Sequence, residues 1–391
     1  FNHHRAKDSK SAAKPLVSPI TEIKAVGKDG IRFTLSGGNA DFPFLMSDYH
    51  LAILPSKDGK IDPLGGVGTG AFSLENFDPG INTRFKKNPD YWKSDRGYFD
   101  SAEIIVIADV AARTNALSTG ATMGMDRCDL KTVHLLKRNK NLEITKKTGT
   151  QHYTLPMNAK VAPFDNYHVR LALKFAIDRE ALVKTILRGY GSVGNDHPIG
   201  ASQLYFAKNL AQRTYDPDKA SFHLKKAGMS SLDVTLSAAD SAFAGAVDAA
   251  VLYKEHAAKA GINITVNRVP SDGYWSNVWM KHPWVMSYWG GRPTEDWMFS
   301  IAYASGAEWN ESFWENERFN KLLLTARSEL DTGKRREIYA EMQAIANDDG
   351  AFVIPMFASY VGALSKKVGH NNIAANWDMD GLRCMERWWL V

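Results

Sequence analysis

Cysteine is nearly absent from this sequence: two in 391 residues, Cys128 and Cys384. Two cysteines lack the spacing of a zinc site or a redox pair, and leave open either one disulfide or two buried small hydrophobes. No apolar run is long enough to span a bilayer as a helix. Concentrated charge is scarce too. Lys and Arg number 48 against 43 Asp and Glu, and the formal charge of +5 is spread thinly apart from short patches such as Lys137-Arg138 and Lys334-Arg335-Arg336. A nucleic-acid partner needs a concentrated basic face, so none is expected. Catalytic signatures are missing: no Gly-x-Ser-x-Gly elbow, no His-Glu-x-x-His, no phosphate loop, no calcium loop. The eleven histidines show no ligand spacing, and His168, His197 and His282 read as surface or packing residues rather than metal ligands. No cofactor or metal is expected. The chain opens on Phe1-Asn2-His3-His4-Arg5, with neither a signal peptide nor an initiator methionine in view.

Aromatic surface is abundant instead, and unevenly placed. Of eleven tryptophans, seven (Trp275, Trp279, Trp284, Trp289, Trp297, Trp309, Trp314) fall within residues 275–314. At the centre of that region, Tyr288 to Phe299 sets two tryptophans and a tyrosine around Gly290-Gly291-Arg292-Pro293, with Thr294, Glu295 and Asp296 following. Large apolar faces, both charge signs and exposed backbone amides in twelve residues suit a pocket wall. Glu295 and Asp296 read as a turn or helix cap, because neighbours in sequence rarely converge on one bond.

Length and composition predict a folded chain of two or three domains. Ile20–Val26 and Gly30 to Leu35 read as a hairpin followed by a short helix, and Ala102 to Ala108 as a buried strand. Gly65 to Ala71 nominally matches a dinucleotide-binding turn. Its context fails, because Phe72 to Phe77 alternates as a strand where that motif needs a helix to hold the phosphates. Gly189 to Gly194 is a second spurious match. Asp178, Asp216 and Asn316 stand where helices need N-caps, with Pro217 in a first turn, and a break near Asp331-Thr332-Gly333 separates two further helices. Strands at 232–236 and 262–266 flank a helix from about 246 to 260. This alternation predicts an α/β fold with a substantially parallel sheet. Pro355 interrupts an apolar strand, which marks a sheet edge or a crossing between domains.

Four motifs occur in one order: Gly68-Thr69-Gly70-Ala71-Phe72; Asn88-Pro89-Asp90-Tyr91-Trp92; Pro163 to Leu173 with Ala176-Ile177-Asp178-Arg179; and Tyr215-Asp216-Pro217-Asp218-Lys219-Ala220. Together they resemble the solute-binding proteins of peptide-type ABC importers, the extracellular family that includes dipeptide-, oligopeptide- and nickel-binding proteins. The likeness runs over essentially the whole chain. It implies a two-lobed periplasmic-binding-protein fold (type II, hinged lobes) with an inserted subdomain in the first lobe. Family members start further upstream, so Phe1 would fall inside that lobe. Residues 1–67 would be the remainder of the subdomain, 68–152 the first lobe, 153–358 the second lobe, and 359–391 the return. Gln151 to Asn158 and Ser359 to Lys367 would be the crossing strands.

The resemblance implies capture of a small peptide or a carboxylated, peptide-like or opine-like solute. Delivery would be to an inner-membrane permease, by a monomer in the periplasm or tethered outside a Gram-positive membrane. Binding would stabilise the closed form. It implies no catalysis; the rival expectations are an enzyme of hydrolase type and a chaperone-like peptide binder. In peptide-binding relatives the segment resembling Trp289 to Phe299 carries an aspartate for the ligand's amino group, and here that place falls on Gly291 or Arg292. An arginine fork attracts a carboxylate and repels an ammonium. Trp289, Gly290, Gly291, Arg292, Thr294, Asp296 and Trp297 are therefore the candidate wall, with Arg292 either reading an anion or pairing internally with Glu295 or Asp296. Tyr153, Phe243, Trp275, Trp309 and Asn310 are further candidates.

Overall fold

Caps and left-handed glycines set most element boundaries. The computed structural model describes residues 1–11, 13–62 and 65–391. β1 (Ile20–Val26) and β2 (Gly30–Leu35) form an antiparallel hairpin turning at Gly27, φ +64°. β3 (Phe72–Asp78), β4 (Asn82–Lys87) and β5 (Ser101–Ile105) make a three-stranded antiparallel sheet. The long β6 (Leu142–Pro156) is followed by α1 (Tyr167–Phe175) and α2 (Arg179–Thr185), capped by the Asn166 and Asp178 side chains, and by β7 (Gly191–Val193). α3 (Pro217–Lys226) begins behind the Asp216 cap with proline in its first turn, where a missing N–H costs nothing. β8 (Leu232–Ala238), α4 (Ala246–Ala258) and β9 (Ile262–Arg268) follow, then β10 (Ser287–Trp289) and α5 (Glu295–Ala302). α6 (Glu317–Ser328) and α7 (Thr332–Asp349), capped by Asn316 and Asp331, lead into β11 (Phe352–Ser365).

Two expectations are corrected, and the alternatives left for Pro355 are resolved. Parallel registers among the described strands are recorded for β8 with β9, from Leu232↔Ile262 to Ala238↔Arg268, with one isolated parallel bridge from Ser237 of β8 to Val285; the intervening α4 supplies the crossover that parallel strands require. The five-stranded sheet, in the order β7-β11-β6-β10 with the Gly124–Met125 strand also on β11, has antiparallel partners at its recorded registers. Pro355 lies inside a sheet rather than at its edge, in the strand that carries a passage between the two units, the other position expected for it; its carbonyl accepts from the Gly194 N–H at 2.8 Å. The Ile-rich β5 is not buried: Ile104 and Ile105 are exposed. β5 is an edge strand with Glu103 paired to Arg84 of β4 at 3.1 Å.

The described chain divides into two compact units, Phe1–His50 with Thr150–Ala358, and Leu51–Gly149 with Ser359–Val391. Two of the three passages between them fall within β6 and β11. Residues 1–50 thus pack with 150–358 and not with the residues up to 67. Asp41 accepts from buried Arg335 Nη2 of α7 at 2.7 Å, and the Ala40 N–H donates to the Arg327 carbonyl at 2.8 Å. The core of this first unit gathers Trp289, Trp297, Phe299, Tyr303, Trp314, Phe319, Tyr339 and Phe352. Most of the tryptophan-rich stretch is therefore core. Both cysteines are free thiols.

Candidate functional site

The candidate residues belong to the first unit and are laid out by the pairing of β10 with β6. Tyr288 stands opposite Tyr153 and Trp289 opposite His152. Side chains alternate along a strand, so these two pairs occupy opposite faces of the sheet. On one face Tyr153 stacks on Phe243 with centroids 3.8 Å apart and 7° between planes, and Tyr288 meets the edge of Trp275 at 5.7 Å. On the other, Trp289 packs against Trp309 at 5.9 Å, and the Arg292 guanidinium lies 5.6 Å from the Trp289 ring centre. Arg292 is 6% exposed and its Nη1 donates to the Gly291 and Gly290 carbonyls at 3.0 and 3.4 Å. A guanidinium held over an indole keeps its charge while much of its fork is fixed in direction.

Around this cation, electrostatics are sharp. His152, fully buried, donates from Nδ1 to the Thr150 carbonyl (3.1 Å), which leaves Nε2 to accept from the Tyr303 hydroxyl (3.3 Å). Burial, with some help from the positive charge of Arg292, lowers it to about 4, so it is neutral at physiological pH. Tyr49 is raised by burial, and the charge of Arg292 opposes that rise, which puts its phenol within electrostatic reach of the guanidinium.

The remaining candidates are occupied by the fold. The Thr294 hydroxyl caps α5 by accepting from the Trp297 N–H. Asp296, raised by burial, is paired with Arg327 at 3.1 Å, and Glu295 accepts from the Tyr205 N–H at 2.8 Å. Asn310 braces its loop by donating to the Trp314 and Ala304 carbonyls. Trp297 is buried in the core. The structure thus brings Trp289, Gly290, Gly291, Arg292 and Trp309 together, sets Tyr153, Phe243 and Trp275 on the opposite face, and uses Thr294, Asp296, Trp297 and Asn310 for packing or capping.

Sequence reasoning missed the residue that orders the aromatics. Glu311 is buried and accepts from three side chains: Trp279 Nε1 at 2.5 Å, Ser287 Oγ at 2.8 Å and Trp289 Nε1 at 2.9 Å. Burial raises its carboxyl, and those three donors oppose the rise. An indole N–H must find an acceptor when buried, so a cluster of tryptophans calls for one nearby. That was the available signal, although it could not choose among Glu308, Glu311 and Glu315. Tyr49 and His152 left no signal of their own. Among the described residues no group of three or more His, Cys, Asp or Glu is arranged to hold a metal.

Similar folds are found among known solute-binding proteins. The periplasmic binding protein AgaA of A. tumefaciens R10, solved with agropinic acid, superposes with a TM-score of 0.86 at 21% identity, covering 100% of this chain and 82% of that one. DppA of Helicobacter pylori, solved with the peptide STSA, gives 0.84 at 24% identity, covering 99% and 78%. The model of the bacterial extracellular solute-binding proteins, family 5 (middle region), matches residues 1–311, and the chain belongs to that family. Among curated relatives, di/tripeptide-binding protein 1 of Pseudomonas aeruginosa is 26% identical over 373 residues, 90% of this chain and 68% of its own length. A glutathione-binding protein of Escherichia coli is 25% identical over 385 residues, 94% and 75%.

Proposed function

We propose that the protein captures a small peptide or a carboxylated, peptide-like or opine-like solute outside the cytoplasmic membrane and hands it to an ABC permease. The observation that carries the ligand class is Arg292, a buried cation beside the Trp289 and Trp309 rings at the end of a strand adjoining a crossing strand. Among its partners are the Gly290 and Gly291 carbonyls, which fix the direction of Nη1. Relatives that bind glutathione, di- and tripeptides or agropinic acid support the same ligand chemistry. In this reading Arg292 takes the solute's carboxylate and the indoles flank its apolar part. Titration calorimetry of the protein and Arg292→Gln against a panel of dipeptides, glutathione and opines tests it. An acid that binds the native protein should lose affinity by about tenfold or more in the variant, the worth of a charge-assisted hydrogen bond. Unchanged affinity overturns the role of Arg292. We further assign 68–152 with 359–391, and 153–358, as the two lobes, and the working form as a monomer.

A further inference from the structure

The basic pair Lys137-Arg138 does not stand alone on the surface. Lys137 follows a short helix, Val133–Leu136, and Arg138 and Lys140 continue the turn into β6. Across from this turn the Lys366 N–H donates to the Asn141 carbonyl at 2.8 Å, which brings Lys366 and Lys367 alongside, and Lys146 lies a few residues further along β6. All six of these side chains belong to exposed residues of the second unit. Part-buried Lys147, next on the strand, faces the other way and lines a cavity with Asp126, Asp378 and Asp380. Without it, residues 137–146 with 366–367 hold six Lys or Arg against one carboxylate, Glu143, a surplus of five that equals the +5 of the whole chain. His370 lies 3.5 Å from Glu143 and partly engages even that carboxylate. In the same turn Leu135 is 51% exposed.

Five of the six cations are lysines. Protein interfaces concentrate arginine and aromatic anchors and are depleted in lysine, because a hydrated, mobile ammonium group gives charge without directional pairing. A lysine-rich face with one exposed leucine suits a partner that is itself diffuse and polyanionic. We propose that this face adsorbs to an anionic lipid surface, with Lys137, Arg138, Lys140 and the Lys366–Lys367 pair among the headgroups and Leu135 at the acyl boundary. The protein would then be concentrated on its membrane by a face separate from the solute-binding residues of the first unit.

Sedimentation with vesicles of equal phosphatidylglycerol and phosphatidylcholine, against phosphatidylcholine alone, tests this in 0.15 M salt. Each cation near such a surface contributes about fivefold in partitioning. The combined Lys137→Gln, Arg138→Gln and Lys140→Gln variant should partition roughly a hundredfold more weakly than the native protein. A control that removes three exposed lysines elsewhere (Lys225→Gln, Lys254→Gln, Lys334→Gln) has the same net charge and should keep most of the binding. Native partitioning should also fall steeply as salt rises to 0.5 M, which requires no variant to fold. Absence of binding to the anionic vesicles, equal binding to neutral ones, or an equal loss in the control would each overturn the proposal. Solute affinity should be the same in all three proteins, so the outcome is independent of the role of Arg292.

Discussion

Glu311 concentrates in one carboxylate the constraints that order two of the clustered indoles. Its replacement by Ala would strand the buried donors of Ser287 and Trp289 as well as the part-buried Trp279 N–H; each buried donor costs about 1–3 kcal/mol, so Glu311→Ala should lower stability by at least about 2 kcal/mol in urea unfolding. Glu311→Gln keeps one acceptor oxygen and should cost less. The sign of its pH effect follows from burial raising the folded carboxyl above its usual value. The folded protein then holds this proton more tightly than the unfolded chain, so its contribution to stability is present at acid pH and declines as pH rises through the folded value. Subtracting the Glu311→Gln profile from that of the native protein should expose this decline. A flat difference would mean that the three donors fully offset burial. Asp196 poses the complementary case: fully buried, it takes Arg179 and Arg213 at 2.6 and 3.0 Å and also accepts from the Ile354 N–H. Asp196→Asn should cost about 3–5 kcal/mol by leaving two buried guanidiniums short of their counter-charge.

Elements differ in how much of their stability is local. At α5 Thr294 is both a ligand-binding candidate and the helix cap, its hydroxyl accepting from the helix's own Trp297 N–H. Thr294→Ala should therefore cost about 1 kcal/mol in stability, the usual worth of an N-cap. A large loss of solute affinity with no change in stability would restore the binding role. Among strands the contrast is between β9 and β5, both isoleucine-bearing. Ile264 is 2% exposed whereas Ile104 is 47% exposed. Ile264→Ala should cost about 2–5 kcal/mol, while Ile104→Thr should change stability by less than about 0.5 kcal/mol. Urea midpoints would measure both. The caps at Asp178, Asp216 and Asn316 were legible because an N-cap is a contact between residues two or three apart. The β1–β2 hairpin was legible for the same reason. The exposure of Ile104 was not, since apolar composition says what a strand would bury, not whether the fold supplies a cover.

At the scale of the molecule, two buried histidines govern the response to acid. Burial lowers both His152 and His197 to about 4, against 6.5 for an exposed imidazole. The folded state therefore resists their protonation, and their contribution is intact above pH 6.5 and lost as pH falls toward 4. Each represents about 3 kcal/mol at the acid end. Thermal melts between pH 7 and pH 4 should show a falling Tm, and His152→Gln should make that fall shallower. An unchanged slope would mean that His152 gains solvent or a partner before it protonates. The Glu311 contribution runs in the opposite sense, so only profiles of the two variants separate them.

By itself the sequence determined the class of fold, most helix starts, the hairpin, and the family, through motifs whose order is read along the chain. It also marked Trp289 and Arg292 as residues to watch. Tertiary structure decided the rest. Whether Asp296 pairs with Arg327, whether Tyr153 and Trp289 share a face, and which carboxylate serves the indoles depend on the β6–β10 register and on packing between elements, some of it between residues more than a hundred positions apart, such as Asp41 and Arg335. Local propensity fixes what an element is. Burial and strand register fix what each side chain meets, and at this site they turned half of a plausible ligand wall into core and caps, leaving the arginine among its tryptophans.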